Sequence, residues 1–515
     1  FRLFGRVDLP NIGTTGDPEV RKSLSLNQGT LSLQGSILIP TLTEAQNSTV
    51  GTAAPANYGP HYTIPNRSHL ILNGAGVSVY ITADNQSNTQ VGALMAANLA
   101  RWTGGDEGIM LQGSLTVTNG TLNSRNGAGI IYRPTGGNRG LTITNGTVRL
   151  TQFRNFAGVT GNFFYQQDGG TFEIVGLGFG GLGYSTGQAA FSLASAGHSF
   201  YMSGGTLLLS GAKATSAAAN PFIFDIQSVS STATGGLIDV APDSVWSFGS
   251  RTYEMNEGGS ARIFNLSTRK VRGSVTLRAR STFTLNGTLT IGANTSLLMR
   301  NNVLNIGKDF ILNGGYFQHT DPVASGASPL RFRAYVLGGD QNMVINDGAT
   351  FDFSDFELRP WEPSPVANLL LVSGTLASRA FTVRNFRFFN SCTFNDGGFA
   401  ITVTGELESW GSPTHIGTGK LILNCTRGTI FNIRGNASLM NLDLEDPDGY
   451  QMVNSAFTIN GTVNFNSNSV FNMDVYELRF SETSSVNITS PGPTKMFQHS
   501  GSATQGGIRR YFSAT

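Results

Sequence analysis

Apolar and polar residues alternate along much of the chain in short bursts, each broken by a polar corner that contains glycine. Leu115-Thr-Val-Thr-Asn-Gly-Thr-Leu122 is echoed by Leu141-Thr-Ile-Thr-Asn-Gly-Thr-Val148. The cadence returns in Phe283-Thr-Leu-Asn-Gly-Thr-Leu-Thr-Ile291 and in Phe457-Thr-Ile-Asn-Gly-Thr-Val-Asn-Phe465. Alternation with period two is the mark of a half-buried strand, and Asn-Gly supplies the positive φ that a tight corner needs. A glycine pair takes the corner in Asp168-Gly-Gly-Thr-Phe-Glu-Ile174 and Met202-Ser-Gly-Gly-Thr-Leu-Leu-Leu209.

Gly120 and Gly146 are 26 residues apart, and Gly287 and Gly314 are 27 apart. Self-similarity at such a period predicts a solenoid, in which each coil buries its apolar face against its neighbours. The expected fold is all-β: a parallel β-helix, right-handed, with coils of two or three short strands and corner loops of variable length. Tandem antiparallel sandwiches are the competing reading, because Asn-Gly also closes hairpins. Helical periodicity is confined to Gln90–Trp102, expected as a short helix in an insertion. Two runs of repeats are expected, 1–245 with insertions and 246–515. A weak boundary at 245–275 ends on the charged Arg269-Lys-Val-Arg272, and one continuous solenoid is expected to stop short at its C-terminal end.

Composition sharpens this picture. Charged residues make up 13% of the 515, about half of what soluble domains carry. There are 65 Gly and only 18 Pro, while 34 Phe leave ample apolar surface to bury. A net charge of +2 provides no basic stripe for nucleic acid. No apolar window is long enough for a transmembrane helix.

Candidate chemistry is sparse. Cys392 and Cys425 lie 33 residues apart, near one repeat, so a disulfide between successive coils and two free buried thiols are both open. The acidic run Asp443-Leu-Glu-Asp-Pro-Asp-Gly449 makes Asp443, Glu445, Asp446 and Asp448 weak calcium candidates; a solvated turn is the simpler reading. The six His, at 61, 69, 198, 319, 415 and 499, are scattered, and neither an adjacent Asp-Asp pair nor Gly-His-Gly announces a glycosidase. No catalytic or cofactor-binding residue is therefore assigned. Tyr316-Phe-Gln-His-Thr320 matches Met496-Phe-Gln-His-Ser500, as expected of equivalent structural positions. Arg384-Asn-Phe-Arg-Phe-Phe389 can stack sugar rings, but alternation puts Phe386 and Phe388 on one face, which favours the core.

Tyr165-Gln-Gln-Asp-Gly-Gly-Thr-Phe-Glu-Ile174, Ser199-Phe-Tyr-Met-Ser-Gly-Gly-Thr-Leu207 and the closing Gly507-Ile-Arg-Arg-Tyr-Phe-Ser-Ala-Thr515 resemble the repeats of very large surface proteins of Bacteroidetes. That resemblance implies export by the type IX secretion system and extracellular, cell-surface display as an adhesin or appendage. Partners would then be the secretion machinery, glycans, other cells or further copies of the chain. Nothing in the sequence matches a C-terminal sorting domain, so a longer polypeptide is expected. The expected role is structural or adhesive. A β-helical polysaccharide lyase or hydrolase and a non-catalytic glycan-binding module are the alternatives.

Overall fold

A computed structural model describes residues 2–4, 7–8, 29–34, 36–40, 61–64, 68–82, 108–124, 129–134, 139–150, 152–155, 161–174, 189–210, 222–227, 230–240, 251–257, 263–269, 274–300, 302–318, 332–334, 339–358, 367–373, 379–389, 392–425, 430–454, 456–501 and 506–512. Among them there is no helix, and the ladders between strands are parallel. This excludes antiparallel sandwiches and gives the parallel β-helix expected from the repeats. The stretch Gln90–Trp102 lies outside the described residues. The chain forms two compact units, Phe1–Phe283 and Thr284–Thr515. Their junction lies just beyond the boundary at 245–275 that the charge pattern suggested.

In the first unit each regular coil has three strands. One coil is Gly140–Ile143, Thr147–Leu150 and Phe153–Asn155, and the next is Phe164–Gln167, Thr171–Ile174 and Phe191–Leu193. The Thr-Asn-Gly phrase is thus a strand, a three-residue corner and a second strand. Leu115, Leu141, Tyr165 and Phe200 stand in register on successive coils, as do Leu122, Val148, Phe172, Leu207 and Ile238. These side chains point inward and are fully buried. Stacking at one strand spacing, about 4.8 Å, brings like rings together. The Tyr165 and Phe200 rings lie 5.4 Å apart at 8°, and those of Phe153 and Phe191 lie 5.3 Å apart at 20°.

The corner leaves no room for side chains. Gly205 has φ of 72°, and a Cβ there would lie 2.5 Å from the Gly169 carbonyl oxygen one coil below. Gly170 repeats the arrangement against Gly146. Only glycine adopts that conformation cheaply and lets the two backbones approach. Buried Gln167 seals the corner: Oε1 accepts from the Tyr165 hydroxyl at 2.6 Å, and Nε2 donates to the carbonyls of Gly169, Gly170 and Thr206. Coil length varies elsewhere, between Ile174 and Phe191 for instance, so the repeat stretches while the corner stays fixed.

The second unit winds more tightly. Ile401, Leu421, Leu442, Val463 and Val486 stack at spacings of 20 to 23 residues. A regular coil there is Ala400–Val403, Glu406–Trp410 and Thr414–Ile416. Inward Phe, Leu, Ile and Val fill it, with Phe356 and Phe386 stacked at 5.0 Å and 5°. Phe386 and Phe388 are buried, as alternation required. Polar residues bond along the stack: Asn464 Nδ2 donates to Asp443 at 2.6 Å, and Asn487 Nδ2 to Asn464 at 2.8 Å.

Candidate functional site

The local coil length decides where the candidates from the sequence fall. Cys392 precedes the strand Thr393–Asn395, whereas Cys425 follows Lys420–Leu423 on a different face of the coil. They do not stand over one another on successive coils, so of the two open readings the free thiols hold. Coils here repeat every 20 to 25 residues, so a spacing of 33 is not one turn. Both thiols are free and buried.

The acidic run is a solvated turn only at its end, where Pro447 and Asp448 are exposed. Asp443 and Asp446 are both buried. The Asp443 carboxylate takes Lys420 Nζ at 2.5 Å and Asn464 Nδ2. Asp446 accepts the backbone N–H of Cys425 at 3.1 Å and that of Asp448 at 2.9 Å. Burial pushes the Asp446 carboxyl above its ordinary pKa, against the pull of those amides. Beside it the Tyr450 hydroxyl accepts from Asp446 N at 2.6 Å and donates to the Leu423 carbonyl at 2.9 Å. Glu445 meets Asn466 instead. Among the described residues no three His, Cys, Asp or Glu side chains gather as metal ligands. The run ties neighbouring coils together.

The two Phe-Gln-His phrases occupy different faces. Tyr316–Gln318 pairs with the strand Thr295–Leu298, whereas Met496–Gln498 continues the column of Tyr450–Val453 and Val470–Asn472. His319 lies outside the described residues, as does the side chain of His61. The expectation of equivalent positions is thus corrected: what the phrases share is a strand with a central Phe.

Sequence reasoning missed a buried pair. His415 points into the apolar column between Phe394 and Leu439 and stacks on Phe394 at 5.5 Å. Its Nε2 meets Asp396 Oδ2 at 2.9 Å, and Asp396 Oδ1 accepts the N–H of Gly398 and of Gly419, each at 2.8 Å. Met440 N donates to Nδ1 at 3.4 Å, so Nε2 carries the proton and donates to the carboxylate. Burial pushes the Asp396 pKa up, but these hydrogen bonds outweigh it and hold the carboxyl below its ordinary value. Both side chains are fully buried, so the pair is a clamp between coils and not a reactive dyad open to substrate. In the first unit Asp225, held by Gln227 and Asn256, and His198, near the Tyr132 hydroxyl at 3.4 Å, are likewise internal.

The second unit's outer surface carries several exposed large apolar side chains, among them Trp410, Ile430 and Phe512. Trp410 is 56% exposed at the end of its strand. Arg387, Glu408 and Arg434 align on successive coils beside it, and Asn432, Gln451, Asn472 and Gln498 form a parallel row two residues along. No described helix is long and apolar enough to cross a membrane. No protein-family model matches the chain, and no curated protein or solved structure matches it.

Proposed function

We propose that this chain is a secreted or cell-surface structural and adhesive protein, a repetitive scaffold that presents its outer faces to other surfaces. The observation that carries the reading is the polar ladder that runs from buried Asp443 through half-buried Asn464 to exposed Asn487, bonded from coil to coil. A face whose polar groups satisfy one another can be repeated without limit, and in a solenoid length and exposed surface grow with each added coil. The buried carboxylates and imidazoles support the same reading, because their hydrogen bonds hold coils together. The resemblance to Bacteroidetes surface proteins adds export by type IX secretion. Labelling intact cells of its source with a membrane-impermeant biotin reagent tests this: the chain should be recovered labelled. Recovery only after lysis would sink the proposal.

A further inference from the structure

An exposed tryptophan calls for an explanation, because its large apolar face gains by being covered. Trp410 is not loosely placed. Its indole N–H donates to Glu408 Oε1 at 3.1 Å, and the other oxygen of that carboxylate accepts from Arg387 Nε at 2.9 Å. The ring is thus held by a braced partner, with Phe389 beside it in register on the preceding coil. A ligand that lies on the ring has little orientational freedom left to remove.

Arg434 sits next to Glu408 on the following coil. Both oxygens of Glu408 are committed to Trp410 and Arg387, so Arg434 has no carboxylate partner among the described residues. Its Nε is buried and makes no hydrogen bond there. A buried N–H left unmet is costly, and a guanidinium without an acid is a ready fork for a carboxylate or sulfate. Two residues along the same strand, Asn432 turns its side chain to the same face and starts the amide row. Glu406, opposite Asn432, disfavours an anion at that column and so confines the anion to Arg434.

We infer that Trp410, Arg434 and Asn432 form a binding platform for an acidic polysaccharide: a sugar face on the indole, its carboxylate or sulfate on Arg434, and hydroxyls along the amides. A polymer suits the place because the amide row runs on along the stack, coil after coil. This inference rests on the adhesive reading and names a ligand class and a site for it.

The test is calorimetric titration of the full chain with polygalacturonate, dextran sulfate, neutral dextran and polyglutamate. Wild type should bind at least one acidic glycan, more tightly than dextran or polyglutamate. Trp410→Ala and Arg434→Gln should each weaken that binding about tenfold, while Trp410→Phe keeps most of it. Both side chains reach the surface, so thermal melting should match wild type and exclude misfolding as the cause. The inference is overturned if neither acidic glycan binds, if both variants bind as wild type does, or if polyglutamate binds equally well. Adhesion to cells that survives both substitutions would overturn the platform alone; a chain that adheres to nothing would overturn the adhesive reading with it.

Discussion

Replacing Asp396 by Ala removes the acceptor for three donors at once: His415 Nε2, Gly398 N and Gly419 N. Each hydrogen bond to a charged acceptor is worth about 1.5–3 kcal/mol. Part of that sum offsets the cost of burying the carboxylate, and removing one partner of a buried pair leaves a net loss of about 3–5 kcal/mol. In a solenoid that loss stays local. Global melting is thus a blunt probe, and amide hydrogen exchange read by mass spectrometry is the sharper one. Strands Thr393–Asn395 and Thr414–Ile416 should lose protection by factors of hundreds, the effect fading along the stack. The pH dependence has a definite sign. The folded pKa of Asp396 lies below its ordinary value of 3.8, so the unfolded chain takes up the proton first. The contribution is complete above that value and is lost as pH falls through the lower, folded pKa. Unchanged exchange in Asp396→Ala at neutral pH would refute the clamp.

Four further outcomes follow from the same geometry. Tyr450→Phe strips a partner from Asp446 N and from the Leu423 carbonyl, and should cost about 1–3 kcal/mol, read as faster exchange at the Asp446 amide. Gly205→Ala forces a Cβ against the Gly169 carbonyl at positive φ and should destabilise the first unit by about 2 kcal/mol or more in urea. A maleimide should leave native chain unmodified and add two equivalents after denaturation without reductant; a need for reductant would contradict free thiols. Burial lowers His198 from 6.5 to about 4, so its neutral form stabilises the fold fully above 6.5 and that stability drains away as pH falls toward 4; a His198→Asn variant should lose this slope in the urea midpoint.

The Asn-Gly-Thr phrases carried the fold into the sequence because two strands and a fixed corner recur together, as in Leu141–Val148 and Phe283–Ile291. The third strand of each coil was far less visible. Gly129–Tyr132 and Phe191–Leu193 are buried on both faces, so their residues do not alternate. The tighter winding of the second unit was not legible, and that is why the spacing of Cys392 and Cys425 left a bridge and free thiols both open. Asp396 and His415 carry no local signature. They meet only because 19 residues is close to one coil at that point of the stack. Phe386 and Phe388 were readable from parity alone, whereas Trp410 gains meaning only beside Arg387 and Arg434 on the adjacent coils.

The most direct test of the central claim is to incubate purified chain with polysaccharides and intact cells, measuring retention on the surface and polymer length together. Saturable retention with polymer length unchanged is the expected result. Shortened polymers, seen as new reducing ends or unsaturated products, would contradict it, as would failure to be retained on any surface, glycan or copy of itself.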